Sequence, residues 1–254
     1  MRMTSDLHDE HNCLRGSNLI PNTIHYCWFG KKSLPFEVKK CIRSWQLHCP
    51  NYRIIRWDET NFDVTLHPFT KAAYEAKAWA FVSDYVRLKI IYEHGGIYLD
   101  TDVELLKNLD FLLHERGCVA IQQDRHLCNT GLGYAAVPHN PVVLEMLRSY
   151  DCVEFDISNL RNLACPWLNN QVIHSLGYRY CEDIVDLGDV KVYPCRFFDP
   201  IAPGAAQENL LCDETISIHH YANSWGSRWD VLRRKIIRAL GVERVAQIKG
   251  RING

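Results

Sequence analysis

Ten residues, Gly95-Gly96-Ile97-Tyr98-Leu99-Asp100-Thr101-Asp102-Val103-Glu104, constrain this chain more than any other stretch. A glycine pair is a helix stop, and the short apolar run behind it has the length and composition of a buried strand. Two carboxylates two residues apart follow where that strand runs out. Residues i and i+2 of a strand face the same way, so the spacing predicts that Asp100 and Asp102 converge on one hard cation. Oxygen donors suit Mg²⁺ or Mn²⁺, and Mg²⁺ in particular is held by one or two carboxylates together with substrate phosphates. Alone, Asp-x-Asp fits a solvated turn or a helix N-cap equally well; the helix and strand ahead of it give it weight.

Those elements belong to an α/β pattern. Residues 20–29 mix β-branched and aromatic side chains and close at Gly30, the signature of a first strand. Residues 36–49 space Val38, Ile42, Trp45 and Leu47 helically up to Pro50, and 52–57 return to strand character. The β-α-β opening predicts a parallel sheet. A long helix is predicted over 76–94, with Trp79, Val82, Val86 and Ile90 along one face and Gly95-Gly96 as its stop. Strands follow at 97–99 and 119–122, a short helix at 141–150, late strands around 184–193 and 215–219, and a final helix at 228–240. No repeat or linker divides the chain, so one domain over 19–227 is expected, with a poorly ordered lead-in at 1–18 and a basic tail at 228–254.

Composition narrows the class. A formal charge of −1 over 254 residues exerts no pull toward nucleic acid, and no apolar run reaches the roughly 18 to 20 residues of a membrane span. The first residues lack the apolar stretch of an export signal. The eleven cysteines are scattered without a Cys-x-x-Cys pair, which reads as reduced thiols rather than a zinc site. The expected location is the cytoplasm.

Four segments, IPNTIHYCWFG, CIRSW, AFVSDYVRLKIIYEHGGIYLDTDVELLK and IHHYANSW, together resemble the DXD-type sugar transferases of glycosyltransferase family 32. That family includes capsular-polysaccharide enzymes and mannosyltransferases and is related to glucosylating bacterial toxins. The resemblance spans roughly residues 19–230, is strongest in the Ser83–Glu104 block and loosest over 118–213. It implies a GT-A-type, Rossmann-like nucleotide-sugar-binding fold with a mainly parallel sheet, and transfer with retention of anomeric configuration.

The resemblance also assigns expected roles. Asp102 would ligate the metal directly, while Asp100 would reach either the metal or donor hydroxyls. Asp84 and Arg87, three apart on one helix face, would bind donor hydroxyls and the sugar or a phosphate; the same pair also fits a surface ion pair. Trp28 would stack on the base, although a strand tryptophan is equally a core residue, and His25 is read as structural. After the last strand, His219, His220 or Asn223 would complete the metal shell, and Ser224 and Trp225 would contact the donor. Asn129, Asn169 and Asn170 fall where relatives line the acceptor cleft, yet Cys165-Pro166 and the asparagines depart from the usual pattern there.

The tail from Arg228 sets eight basic residues against two acidic ones, a balance of +6, with Trp229, Leu232, Ile236, Ile237 and Leu240 interleaved. Such a segment suits the anionic inner face of a membrane or a packed helix with a solvated basic face. The expected activity is metal-dependent transfer from a UDP-sugar to a glycan or lipid-linked glycan, in capsular or surface-polysaccharide synthesis. A nucleotidyl- or phosphotransferase is the second reading, against which stands the lack of a Gly-rich phosphate loop. A non-catalytic nucleotide-sugar-binding protein is the third.

Overall fold

The computed structural model describes residues 19–204 and 207–222. The lead-in at 1–18, Asn223, Ser224, Trp225 and the basic tail with its expected helix lie outside the described residues.

The chain opens β-α-β as its pattern predicts. Strand β1 (Thr23–Cys27) is followed by helix α1 (Phe36–His48), which turns Val38, Cys41 and Trp45 inward and stops ahead of Pro50. Strand β2 (Arg53–Trp57) then pairs parallel to β1. Helix α2 (Pro68–Glu75), which the pattern does not reveal, starts at a proline behind His67, whose Nδ1 accepts from Phe69 N at 3.2 Å. Lys77 adopts φ 57°, a left-handed residue that separates α2 from α3 (Trp79–His94). The helix expected from residue 76 therefore begins later. Val82, Val86 and Ile90 are buried as predicted, but so are Ser83, Asp84, Arg87, Leu88 and Ile91; α3 is enclosed on more than one face.

Gly95 and Gly96 end α3 with φ of 63° and 104°. A Cβ at Gly96 would stand 2.8 Å from the carbonyl oxygen of Thr23, so only glycine lets β3 (Gly96–Tyr98) lie against β1. The chain continues through β4 (Val103–Leu105), β5 (Gly117–Ile121), β6 (Cys128–Asn129), β7 (Tyr134–Ala136), α4 (Pro141–Asp151), α5 (Leu160–Leu163) and α6 (Cys165–Ser175). The predicted strand at 184–193 is a hairpin of β8 (Val185–Asp186) and β9 (Lys191–Tyr193), turned at Gly188. Then come α7 (Cys195–Phe198) and β10 (Ser217–His219).

The main sheet has the order β2-β1-β3-β7-β5-β9-β8, with β6 on β5. Strands β2, β1, β3, β5 and β9 run the same way, and β7, β6 and β8 run against them, so the α/β sheet is mixed and mostly parallel. Both faces are covered, as such sheets require. One core holds Phe69, Val82, Val86, Met146, Tyr150 and Ile173; the other holds Val38, Trp45, Leu109, Leu112, Phe197 and Phe198. Strands β4 and β10 form a separate antiparallel ladder. Trp45 ties α1 to it by donating Nε1–H to the Val103 carbonyl at 2.7 Å. Among the described residues no helix is long and apolar enough to cross a membrane.

His25, 2% exposed, is structural, as read from the sequence. Its Nδ1 accepts from Trp57 Nε1 at 3.0 Å, which leaves Nε2–H to donate to the Gly95 carbonyl at 3.1 Å. Burial, with the nearby charges of His94 and Arg53, pushes its pKa down to about 4. The unfolded chain then binds the extra proton more readily, so stability is full above the ordinary histidine pKa and is lost as pH falls from about 6.5 toward 4. Urea unfolding at pH 7 and pH 4.5 should differ by about 2 kcal/mol on this account, and His25→Gln should remove that part of the difference. An unchanged pH slope in the variant would show that His25 is not responsible.

Candidate active site

The Asp-x-Asp pair sits in a turn, not on a strand as its spacing suggested. Strand β3 ends at Tyr98, Leu99 N still donates to His25 O at 3.1 Å, and Val103 N closes the turn on Asp100 O at 3.0 Å. Asp100 N is held by Gly131 O at 3.1 Å. The two carboxylates converge because the chain reverses from β3 into β4, not because of strand alternation.

Helix α3 supplies the group that fixes Asp100. One terminal nitrogen of Arg87 lies 3.0 Å from Asp84 Oδ1 and 3.0 Å from Asp100 Oδ1. Arg87 Nε donates to Ser83 O at 3.2 Å, and the guanidinium carbon stands 4.8 Å above the Tyr98 ring. Tyr98 Oη adds a hydrogen bond to Asp100 Oδ1 at 3.1 Å. Asp84 Oδ2 accepts from Cys165 N at 3.2 Å, which joins the start of α6 to α3. The surface-pair alternative is overturned: Arg87 is 3% exposed and Asp84 7%. Burial pushes both Asp84 and Asp100 above the ordinary carboxylate range against the pull of Arg87.

The third contribution comes from the far end of the chain. Strand β10 pairs with β4 in the register His219↔Val103, Ile218↔Glu104 and Ser217↔Leu105. That register sets His219 Nε2 3.0 Å from Asp102 Oδ1. Asp102 also accepts from His220 N on its carbonyl at 2.9 Å and from Ala222 N on Oδ2 at 2.7 Å. Burial alone would raise the Asp102 pKa; His219, with the backbone N–H groups of Ala222 and of Asp102 itself, outweighs it and brings it to about 2. The same pairing overcomes burial at His219 and lifts its pKa to about 9. His220, just past the end of β10, points elsewhere, Nε2 to Glu104 Oε2 at 2.7 Å, so of the two histidines expected to complete a metal shell it is His219 that meets the Asp-x-Asp pair. Asn223 lies outside the described residues.

Asp100, Asp102 and His219 each offer a ligand atom within 4.8 Å of the others. Two carboxylates and one imidazole suit a divalent cation of the Mn²⁺ or Mg²⁺ type, and the other imidazole nitrogen, His219 Nδ1, is buried with no hydrogen-bond partner. The residues fit the implied metal. They open on a cavity of about 370 Å³ whose wall also includes Asp84, Arg87, Asn129 and Tyr221, a volume in the range of small-molecule sites.

Other expected contacts fall differently. Trp28 does not line this cavity: its ring is 1% exposed inside the second core and its Nε1–H donates to Lys32 O at 2.7 Å. A ring so enclosed presents no face to a base, so the stacking role is not realised in this geometry. Asn129 does reach the wall, with Nδ2 on Gln122 Oε1 at 2.9 Å and Oδ1 taking Gly131 N at 2.8 Å. Asn169 is fully buried against Thr130, and Asn170 Oδ1 accepts from Cys128 N at 3.1 Å. Both brace α6 against the loop around β6, and neither is among the residues that line the cavity. Sequence reasoning missed Tyr98, Asp199 and Tyr221; Tyr98, inside the Ser83–Glu104 block, and Tyr221, inside the IHHYANSW block, carried a signal, and Asp199 carried none. The role of Gly131 also went unread: a Cβ there would meet Asp100 Oδ2 at 2.0 Å, so only glycine fits beside that carboxylate.

Residues 35–118 match the family profile described as a glycosyltransferase sugar-binding region containing a DXD motif. An uncharacterized glycosyltransferase of Acanthamoeba polyphaga mimivirus is 36% identical over 225 residues, 82% of this chain and 84% of that protein. Inositol phosphoceramide mannosyltransferase 3 of Schizosaccharomyces pombe is 30% identical over 169 residues, 63% of this chain but only 43% of the yeast protein. The human alpha-1,4-N-acetylglucosaminyltransferase is 29% identical over 125 residues, 48% of this chain and 33% of that protein. The chain thus spans less than half the length of these two eukaryotic relatives. Among solved structures, the PaToxG glycosyltransferase aligns at 18% identity with a TM-score of 0.49, covering 61% of this chain and 68% of that one.

Two outcomes test the geometry. Arg87→Ala leaves the buried Asp84 and the partly exposed Asp100 without their cation and should cost about 3–5 kcal/mol in urea unfolding; a loss under 1 kcal/mol would mean that water reaches the pair. Gly131→Ala should displace Asp100 and weaken Mn²⁺ binding on the order of tenfold or more while the far-ultraviolet circular dichroism stays unchanged. Wild-type Mn²⁺ affinity in that variant would show that Asp100 tolerates the shift.

Proposed function

The chain belongs to the glycosyltransferases that carry a DXD motif in their sugar-binding region, and from that premise we propose that it moves a sugar from a UDP-linked donor to a glycan or glycolipid acceptor, with a divalent cation and with retention of anomeric configuration. The observation that carries this reading is the meeting of Asp100, Asp102 and His219 at the wall of a cavity that Asp84 and Arg87 also line.

Each residue then has a task. Asp102, Asp100 and His219 would hold the cation, which when bound supplies Lewis-acid neutralisation of the departing pyrophosphate, worth several kcal/mol of transition-state stabilisation. The mixed oxygen and nitrogen set favours Mn²⁺ over Mg²⁺. Arg87 fixes Asp100 instead of reaching freely for a phosphate, since its terminal nitrogen bridges two carboxylates. Asp84 would accept donor hydroxyls as well as its contacts to Arg87 and Cys165 N, because a carboxylate offers about four lone-pair sites. With retention, the acceptor hydroxyl enters on the face the phosphate leaves, and the departing phosphate oxygen takes its proton. No side-chain base is then required.

Ser224 and Trp225, which follow Ala222 closely in sequence, are proposed donor contacts. The related proteins are named for mannosyl and N-acetylglucosaminyl transfer, which leaves both hexosyl and N-acetylhexosaminyl donors in the proposal. The yeast relative, by its name, acts on inositol phosphoceramide. A lipid-borne acceptor would give the basic tail its use at an anionic membrane face.

A screen of UDP- and GDP-sugars by thermal shift, with and without Mn²⁺, should raise the melting temperature for one donor in the presence of the cation. With that donor, Asp102→Asn should lower hydrolysis and transfer on the order of 100-fold with the fold intact. The anomeric coupling in the product should match the donor. Activity that survives exhaustive chelation would reject the metal-dependent reading, and an inverted product would reject retention.

A further inference from the structure

Beside the cation site lies a carboxylate that the reaction does not call on. Asp199 follows α7 and is fully buried. Its Oδ2 accepts from Gln123 N at 2.8 Å and from Tyr221 Oη at 2.7 Å, while its Oδ1 is buried with no hydrogen-bond partner. Tyr221 links it to the site: its ring meets the His219 ring edge-on at 4.1 Å, and its own backbone stands at φ 48°. A non-glycine residue keeps a left-handed backbone only where its surroundings hold it there.

The donor on the other side is also without a partner. His219 Nε2 is turned to Asp102, and His219 Nδ1 is buried and unpaired. An imidazole that ligates a cation through Nε2 carries its proton on Nδ1, and ligating histidines almost always give that N–H to a carboxylate, carbonyl or water. Two opposite orphans, a buried N–H and a buried carboxylate oxygen, thus flank one tyrosine.

We propose that Asp199 is a positioning residue of the cation site: through Oδ2 it holds Tyr221 against the imidazole, and through Oδ1 it receives the Nδ1–H of His219 when Nε2 turns to the cation. This inference rests on the metal-dependent reading above. Gln123 is its anchor, since backbone and side chain of Gln123 both bond Asp199, the side-chain amide reaching Asp199 O at 2.9 Å.

The test uses the full chain and Mn²⁺, with free Mn²⁺ read by electron paramagnetic resonance and melting measured in chelator. Asp199→Asn keeps the shape and an acceptor for Tyr221 but turns an amide N–H toward the imidazole N–H, and should weaken Mn²⁺ binding 10- to 100-fold with little change in melting of the metal-free protein. In a His219→Ala background the same substitution should add nothing, because its effect passes through that ring. A lower melting temperature with wild-type Mn²⁺ affinity would make Asp199 a purely structural brace, and fully additive losses would show that it does not act on His219; either overturns the proposal. Should Asp199→Asn fail to fold, Tyr221→Phe takes its place, with a few-fold loss of affinity expected and an unchanged affinity counting against the idea. If the wild-type protein binds no Mn²⁺, the metal-dependent reading itself falls and takes this one with it, an outcome distinct from all the others.

Discussion

A guanidinium enclosed at 3% exposure needs its charge answered, and in this protein two carboxylates from different parts of the chain answer it. Asp84 comes from the same helix face as Arg87; Asp100 comes from the turn after β3. Because removing one partner of a buried ion pair costs several kcal/mol, the turn is not free to drift from α3. The interaction that makes a buried arginine tolerable is also the one that aims Asp100 into the cavity. Tyr98, under the guanidinium and bonded to the same carboxylate, removes the remaining latitude.

From that fixed point the rest of the site is assembled by backbone pairing. The β4–β10 ladder is three residues long, and its register decides which of two adjacent histidines enters the cavity. His219 faces Asp102 and His220 faces Glu104, where Lys40 lies 3.2 Å from the other carboxylate oxygen. Slipping the ladder by one residue would exchange the two rings, as any one-residue slip of a strand does. The hydrogen bonds from His220 N and Ala222 N to Asp102 work against such a slip.

Much of this was legible beforehand, for reasons that can be named. The opening β-α-β, the Gly95-Gly96 stop and the pairing of Asp84 with Arg87 rest on local spacing, and local spacing is visible in a sequence. The exposure of that pair was not: burial depends on α6 and β7 packing over α3, a tertiary fact. The turn geometry of Asp100 and Asp102 escaped because strand ends and turns share the same i, i+2 pattern. Helix α2 was missed because Lys77, an unremarkable residue in sequence, takes a left-handed backbone only in this context. Strands β4, β6 and β7, two or three residues each, are too short to show a period. Asn169 and Asn170 looked like ligand-binding amides, yet their partners, Thr130 and Cys128, are supplied from some forty residues upstream.

The distance along the chain between Asp102 and the residues that complete its surroundings has a consequence for when the protein becomes competent. The bond from Ala222 N to Asp102 spans 120 residues, and domains form as units while the chain emerges at about 5–20 residues per second. The Asp-x-Asp turn, α3 and β1 can therefore pack early around contacts close in sequence, while the imidazole arrives many seconds later. Until β10 leaves the ribosome, a nascent chain carries Asp84, Asp100 and Asp102 near Arg87 without His219. Asp100, Asp102 and His219 are therefore brought together only once β10 has been made and has paired with β4.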